Sequence, residues 1–182
     1  MSATTTTQAV PVGTWEIDKV HSTIGFAVKH MVVSTFRGQF NDYDVELTST
    51  DDGARLAGKV RVASVDVKDE NLEGHLQAPD FFDAERHPEL SFESSDLRVE
   101  GDQLVLDGEL TIRGVTKPIE ARGSITGPHT DIQDNQRLGL ELETVLDRTE
   151  YGLEWNAPLP KGGFALANDV KLIVNLEFSE KA

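Results

Sequence analysis

Apolar side chains recur at every second position through most of the chain, and no long stripe at helical spacing competes with them. The stretch from Val170 to Phe178 shows this best. Val170, Leu172, Val174, Leu176 and Phe178 fall on one face, and Lys171, Ile173, Asn175 and Glu177 on the other. A strand with one oily face must press it against another sheet, a helix layer or the far wall of its own barrel. With almost no helix available as cover, the sheet has to close on itself or fold over. The enclosed apolar space is therefore where a function is expected.

Turn residues cut the chain into strands. The pattern predicts Thr14 to Asp18, Ser22 to Val33, Phe36 to Leu47, Leu56 to Val67, Leu90 to Val99, Leu104 to Ile112, Val115 to Ile125, Leu138 to Leu146 and Val170 to Phe178. Phe36, Gly38 and Phe40 share one parity, whereas Tyr43, Val45 and Leu47 share the other. That switch predicts a bulge or bend near Asn41-Asp42. Gly127-Pro128 through Asn135 reads as a polar loop, and Ala157 to Gly163 as a second one rich in Pro and Gly. No repeat or linker interrupts the pattern. Residues 1–12 are expected as a flexible tail, and 13–182 as a single barrel domain.

One segment departs from the period of two. Asp69 can cap a helix, Glu70 and Glu73 suit its N-terminal dipole, and Leu72 and Leu76 lie four apart on one face. Pro79 ends it and Phe81-Phe82 follow. The short helix, near residues 69–78, reads either as a lid over one barrel end or as a surface crossover whose phenylalanines fill the core.

Composition narrows the partners. The chain has 182 residues, 32 acidic and 17 basic, for a formal net charge of −15. That balance disfavours nucleic acid. There is no cysteine, so disulfides, thiolate nucleophiles and thiolate metal sites are excluded. Met1 to Val10 has no basic residue and no sustained apolar run, so it does not read as a secretory signal. No run approaches the length of a membrane-spanning helix. A cytoplasmic location is the expectation.

Catalytic signatures are sparse. His21, His30, His75, His87 and His129 show neither HxH nor HExxH spacing, and His21 and His30 are expected on opposite faces of one strand. Gly123-Ser124 lacks the glycine two residues before the serine that a nucleophile elbow requires. Gly162-Gly163 is not followed by Lys and Ser/Thr, and no GxGxxG occurs. No catalytic residue, metal site or cofactor is expected.

Specific strings do carry a resemblance. Asp18, His21-Ser22, Phe26, Val28-Lys29-His30-Met31, Phe36-Arg37-Gly38 and Phe40 open it. Leu76, Pro79-Asp80-Phe81-Phe82-Asp83, His87-Pro88 and Phe92 continue it. Gly108 to Pro118, Asp147-Arg148, Tyr151-Gly152 and the last strand complete it. Over about Thr14 to Phe178 the chain resembles the YceI-like polyisoprenoid-binding family. The resemblance implies an all-β, antiparallel, lipocalin-like barrel of roughly eight strands. Its lumen would hold an isoprenoid or other fatty-chain lipid as bound ligand, often in a homodimer. Many members of that family are periplasmic.

Inward parity and this resemblance together nominate Phe26, Val28, Phe36, Phe40, Phe81, Phe82, Phe92, Leu106, Leu110, Leu140, Leu172, Val174 and Leu176 as lipid-binding positions. His30 is either a core or rim histidine or a polar contact at the pocket mouth. Arg148 either pairs with a carboxylate or meets a ligand headgroup. Arg113 either serves a tight turn at Gly114 or touches ligand. The glycines and alanines among the strands hint at a lumen with room left in it.

Three readings of function compete. The favoured one is binding, storage or transport of a long-chain isoprenoid or similar amphiphilic lipid. The others are an enzyme on a hydrophobic substrate and a stress-associated structural protein with a filled core.

Overall fold

A computed structural model describes residues 9–182, which form eleven strands, one α-helix and two short 3₁₀ turns. The strands are β1 (Gly13–Ile17), β2 (Thr23–His30), β3 (Ser34–Phe40), β4 (Tyr43–Thr50), β5 (Gly53–Arg61), β6 (Val65–Asp66), β7 (Glu89–Glu100), β8 (Gln103–Ile112), β9 (Val115–Thr130), β10 (Gln136–Asp147) and β11 (Leu166–Glu180); the helix is α1 (Glu70–Gln77). All pairings are antiparallel. The order β1-β4-β5-β7-β8-β9-β10-β11 closes through Ile17↔Phe178, giving a barrel of eight strands. The expected all-β, lipocalin-like barrel with one short helix is the architecture found.

The three remaining strands extend the wall at one end. β2 pairs with β11 from Ile24↔Val174 to Val28↔Val170, β3 pairs with β2, and β6 pairs with β3. Along the chain, β1 leads into β2 through residues 18–22, β3 into β4 through residues 41–42, and β5 into β6 through a 3₁₀ turn, Val62–Ser64. The bend between Phe40 and Tyr43 resets the inward face, because both residues are buried although an odd spacing separates them. Asn41 N donates to Ser64 O at 3.2 Å and Arg61 N to Asp42 O at 2.9 Å, so the bend keeps its backbone hydrogen bonds. At the facing bend, Ser22 Oγ donates to Asp18 O (2.6 Å) and accepts from Glu177 N (3.0 Å).

Two expectations change. β9 continues through Thr130, so only residues 131–135 remain of the loop expected from Gly127. Pro128, preceded by a cis peptide bond, is admitted by a register shift opposite Leu138, where no ladder donor is required. Residues 9–12 of the tail expected over 1–12 belong to the described structure. Residues 1–8 lie outside those described, but Val10 is completely buried and its carbonyl accepts Ser49 Oγ at 2.8 Å.

The helix is capped as its sequence requires, with Asp69 Oδ1 accepting from Leu72 N at 2.9 Å. Ala78 leaves it in an extended conformation, as a residue before proline must.

Candidate ligand cavity

The inward faces of this barrel do not fill it evenly. At one end Val10, Trp15, Leu47, Leu138, Leu140 and Phe178 are at most 2% exposed and close the lumen as a solid plug. Toward the other end lies a cavity of about 650 Å³ with an overwhelmingly apolar lining. That volume is in the range of sites that enclose a whole small molecule.

Twelve of the thirteen nominated apolar positions line it: Phe26, Val28, Phe36, Phe40, Phe81, Phe82, Phe92, Leu106, Leu110, Leu172, Val174 and Leu176. Leu140 does not. It points inward, but it lies two positions along β10 from Leu138, which pairs with Phe178 in the plug, and it is fully buried there. Alternation along a strand reports the face of a residue and not its depth in the barrel.

Four phenylalanines form a continuous wall. Phe26 stands 6.4 Å from Phe36 and 5.8 Å from Phe40, and Phe40 meets Phe82 edge-on at 5.9 Å. Phe82 follows α1, whose Leu72, His75 and Leu76 also face the cavity. His75 packs against Phe81 and Trp155 at 4.9 and 5.1 Å. The helix therefore lies over the lumen as a lid. Leu153 and Trp155 join the lining from an irregular segment that carries no periodic signal, and Leu166 from the first residue of β11, which begins before the predicted strand; the sequence pattern missed all three.

The exposed residues of the lining are His30, Met31, Ser34, Thr35 and Glu143. Four of these five belong to the β2–β3 hairpin end, so the cavity opens there. His30 is accordingly a rim residue and not a core one. His21 precedes β2 and does not share a strand with it.

Arg148 is the polar exception inside. It is 4% exposed, lines the cavity, and pairs with no carboxylate of the described residues. Nε donates to Ala167 O (2.9 Å), and Nη1 to Leu153 O (2.6 Å) and Trp155 O (2.9 Å). The adjacent Asp147 carboxylate is occupied by Thr149 N and Thr149 Oγ1, at 2.9 and 2.5 Å. Nη2 has no partner. Burial pulls the guanidinium below the ordinary arginine range. A buried cation with an unused donor, facing an apolar cavity, is a ready anchor for one oxygen acceptor. Arg113, by contrast, is structural. It sits with Gly114 at positive φ in the β8–β9 turn and donates to Phe81 O (2.9 Å) and Gly152 O (3.0 Å).

One group of metal-ligand residue types comes together that spacing did not announce. Asp18, His21 and Glu177 offer ligand-type atoms within 4.8 Å of one another. Arg137 already serves it, with Nη1 at 3.1 Å from Asp18 and 3.7 Å from Glu177. A fixed guanidinium there supplies the positive charge that a cation would otherwise bring.

The same architecture recurs in known proteins. The YceI-like domain model matches residues 15–178. A UPF0312 protein of Pseudomonas aeruginosa is 33% identical over 146 residues, covering 77% of this chain and 76% of its own. The Campylobacter jejuni YceI protein has a TM-score of 0.70 at 25% identity, over 85% of this chain and 90% of its own. A polyisoprenoid binding domain from Saccharophagus degradans, implicated in plant cell wall breakdown, shares the fold with a TM-score of 0.69 at 11% identity, over 93% and 99% of the two chains. A match that takes in nearly the whole barrel, from Trp15 in β1 to Phe178 in β11, places this chain in the YceI-like family.

Proposed function

We propose that the barrel binds a long-chain isoprenoid or similar amphiphilic lipid, for storage or transport, with its chain in the cavity and an oxygen-bearing headgroup at Arg148 Nη2. The observation that carries this reading is the apolar cavity of about 650 Å³ holding a buried guanidinium with one unused donor. A filled core does not account for that space. The Saccharophagus domain of the same fold is described as binding polyisoprenoid, which supports the ligand class. The YceI-like family is not a known enzyme family, and the Pseudomonas aeruginosa relative is named only as a UPF0312 protein.

The energetics suit a carrier. Burying apolar chain contributes about 0.8 kcal/mol per CH₂, so roughly 15 buried carbons give about 12 kcal/mol gross. Lost ligand freedom removes several kcal/mol of that. A bilayer, and not dilute water, is the competing state, so net partitioning is smaller and release is feasible.

The test is mass spectrometry of a solvent extract of purified protein, followed by uptake of a fluorescent isoprenoid by the delipidated barrel. A long-chain lipid in near-stoichiometric amount is expected. Empty extracts together with no uptake of any long-chain probe would reject the carrier reading.

A further inference from the structure

The opening of the cavity has a surface unlike the rest of the molecule. At the β2–β3 tip, His30 O accepts Val33 N at 3.2 Å around Met31 (φ 51°) and Val32 (φ 67°). Such a turn favours Asn-Gly, and a β-branched residue at positive φ is strained. Val32 and Val33 are nevertheless 74% and 85% exposed. Strain accepted in order to hold apolar side chains in solvent points to a use for them outside the fold.

The neighbouring loop adds to the patch. Met31 N donates to Ala165 O at 2.8 Å, and a Cβ on Gly163 would stand 4.0 Å from Val32 Cγ2. Phe164, bridged to Pro158, is 59% exposed. Charge is distributed just as unevenly. Residues 23–40 and 155–168 contain Lys29, Arg37 and Lys161 and none of the 32 acidic residues of the chain.

We infer that this rim docks on a lipid bilayer bearing anionic headgroups, seating Met31, Val32, Val33 and Phe164 in the interface with the cavity mouth facing the lipid. Apolar side chains flanked by cations are what such an interface selects. Each cation close to an anionic surface strengthens binding by on the order of fivefold. The net charge of −15 does not oppose this, because charges farther than about 8 Å from the surface are screened at physiological salt. Glu143 is the one acidic residue in the cavity lining, and it stands on β10 and not on the β2–β3 hairpin. Docking goes beyond ligand binding, since it is a property of the outer surface and needs no occupied cavity.

The test is flotation of lipid-stripped protein with vesicles of phosphatidylcholine, alone or mixed two to one with phosphatidylglycerol. Binding to the mixed vesicles, weakened by salt, is expected. Val32→Gly, at a position outside the cavity lining, installs the residue that suits the turn, so the melting temperature should hold or rise. Vesicle affinity should fall roughly tenfold for each apolar side chain removed. Phe164→Ser supplies a second arm that leaves the turn untouched. Ile132→Ser, an exposed site in the β9–β10 turn at the far end of the barrel, should change nothing. Uptake of a soluble isoprenoid probe, measured on the same samples, should survive in every variant, which separates docking from cavity binding. Wild-type protein that does not float, or rim variants that float as wild type does, would overturn the inference. So would a wild-type dimer that the rim substitutions dissociate, since the patch would then belong to a second copy of the chain.

Discussion

Phe26 lies across Gly38, its partner on the neighbouring strand, so closely that a Cβ on Gly38 would stand 2.8 Å from Phe26 Cε1 and nearer still to Cζ. The missing side chain does not enlarge the cavity; it gives the ring a bed. Gly108 does the same for Phe92. Gly38→Ala must therefore push Phe26 toward the lumen. A loss of about 1–3 kcal/mol in chemical denaturation is expected, as for other overpacked sites. The longest probe chain taken up should shorten as well. Unchanged stability and uptake would mean that the ring moves freely and does not define the wall.

Val174 faces the cavity from the middle of β11, beside Leu172 and Leu176. Val174→Trp should fill lumen volume and shift the bound lipid profile toward shorter chains while the barrel stays folded. Asn175→Ala, one residue away and exposed, is the outward control. Mass spectrometry of extracts from the two variants makes the comparison, and identical profiles would place the ligand elsewhere.

Arg148 is asked to do two things, and they can be separated. It satisfies three loop carbonyls, and it leaves Nη2 for a headgroup. Arg148→Lys keeps a cation but cannot reach all three acceptors, so a loss of about 1–3 kcal/mol of stability is expected from the orphaned carbonyls. Affinity for a long-chain alcohol or acid should fall by more than affinity for a hydrocarbon of equal length. Equal losses for both probes would restrict Arg148 to holding the loop.

The corner where β1, β10 and β11 meet sets a pH window. The Arg137 guanidinium, 2.8 Å from Asp131, holds that carboxyl down to about 2. Asp18 is also lowered, chiefly by its hydrogen bond to His21, and His21 is raised in return. A depressed carboxyl contributes stability above its unfolded value near 3.8, and the contribution fades as pH falls through the folded value. A raised histidine contributes fully below about 6.5 and loses its contribution as pH rises through the folded value. The corner is therefore firmest between roughly pH 4 and 6.5. Arg137→Gln should move Asp131 up toward its ordinary value and move His21 further up, because Arg137 opposes protonation of His21. Carboxyl and imidazole NMR titrations read both shifts directly, and static values would dismiss the network.

Much of this molecule is written along the chain. The period of two identifies the strands and their inward faces, because successive side chains of a strand must point to opposite sides. The parity change at Asn41-Asp42 announces the bend, and Asp69 announces the helix cap it supplies. These are local signals that need no knowledge of what lies across the barrel. Depth, partnership and space are a different matter. Leu140 and Leu142 read alike in sequence, yet only Leu142 reaches the cavity, because Leu140 falls within the plug formed with Trp15 and Phe178. Arg148 has acidic neighbours in sequence and pairs with none of them, because closure of the barrel surrounds it with the carbonyls of Leu153, Trp155 and Ala167. The alternation required an enclosed apolar interior. Whether that interior was solid or hollow depended on how eight curved walls meet, and only the closed sheet decided it.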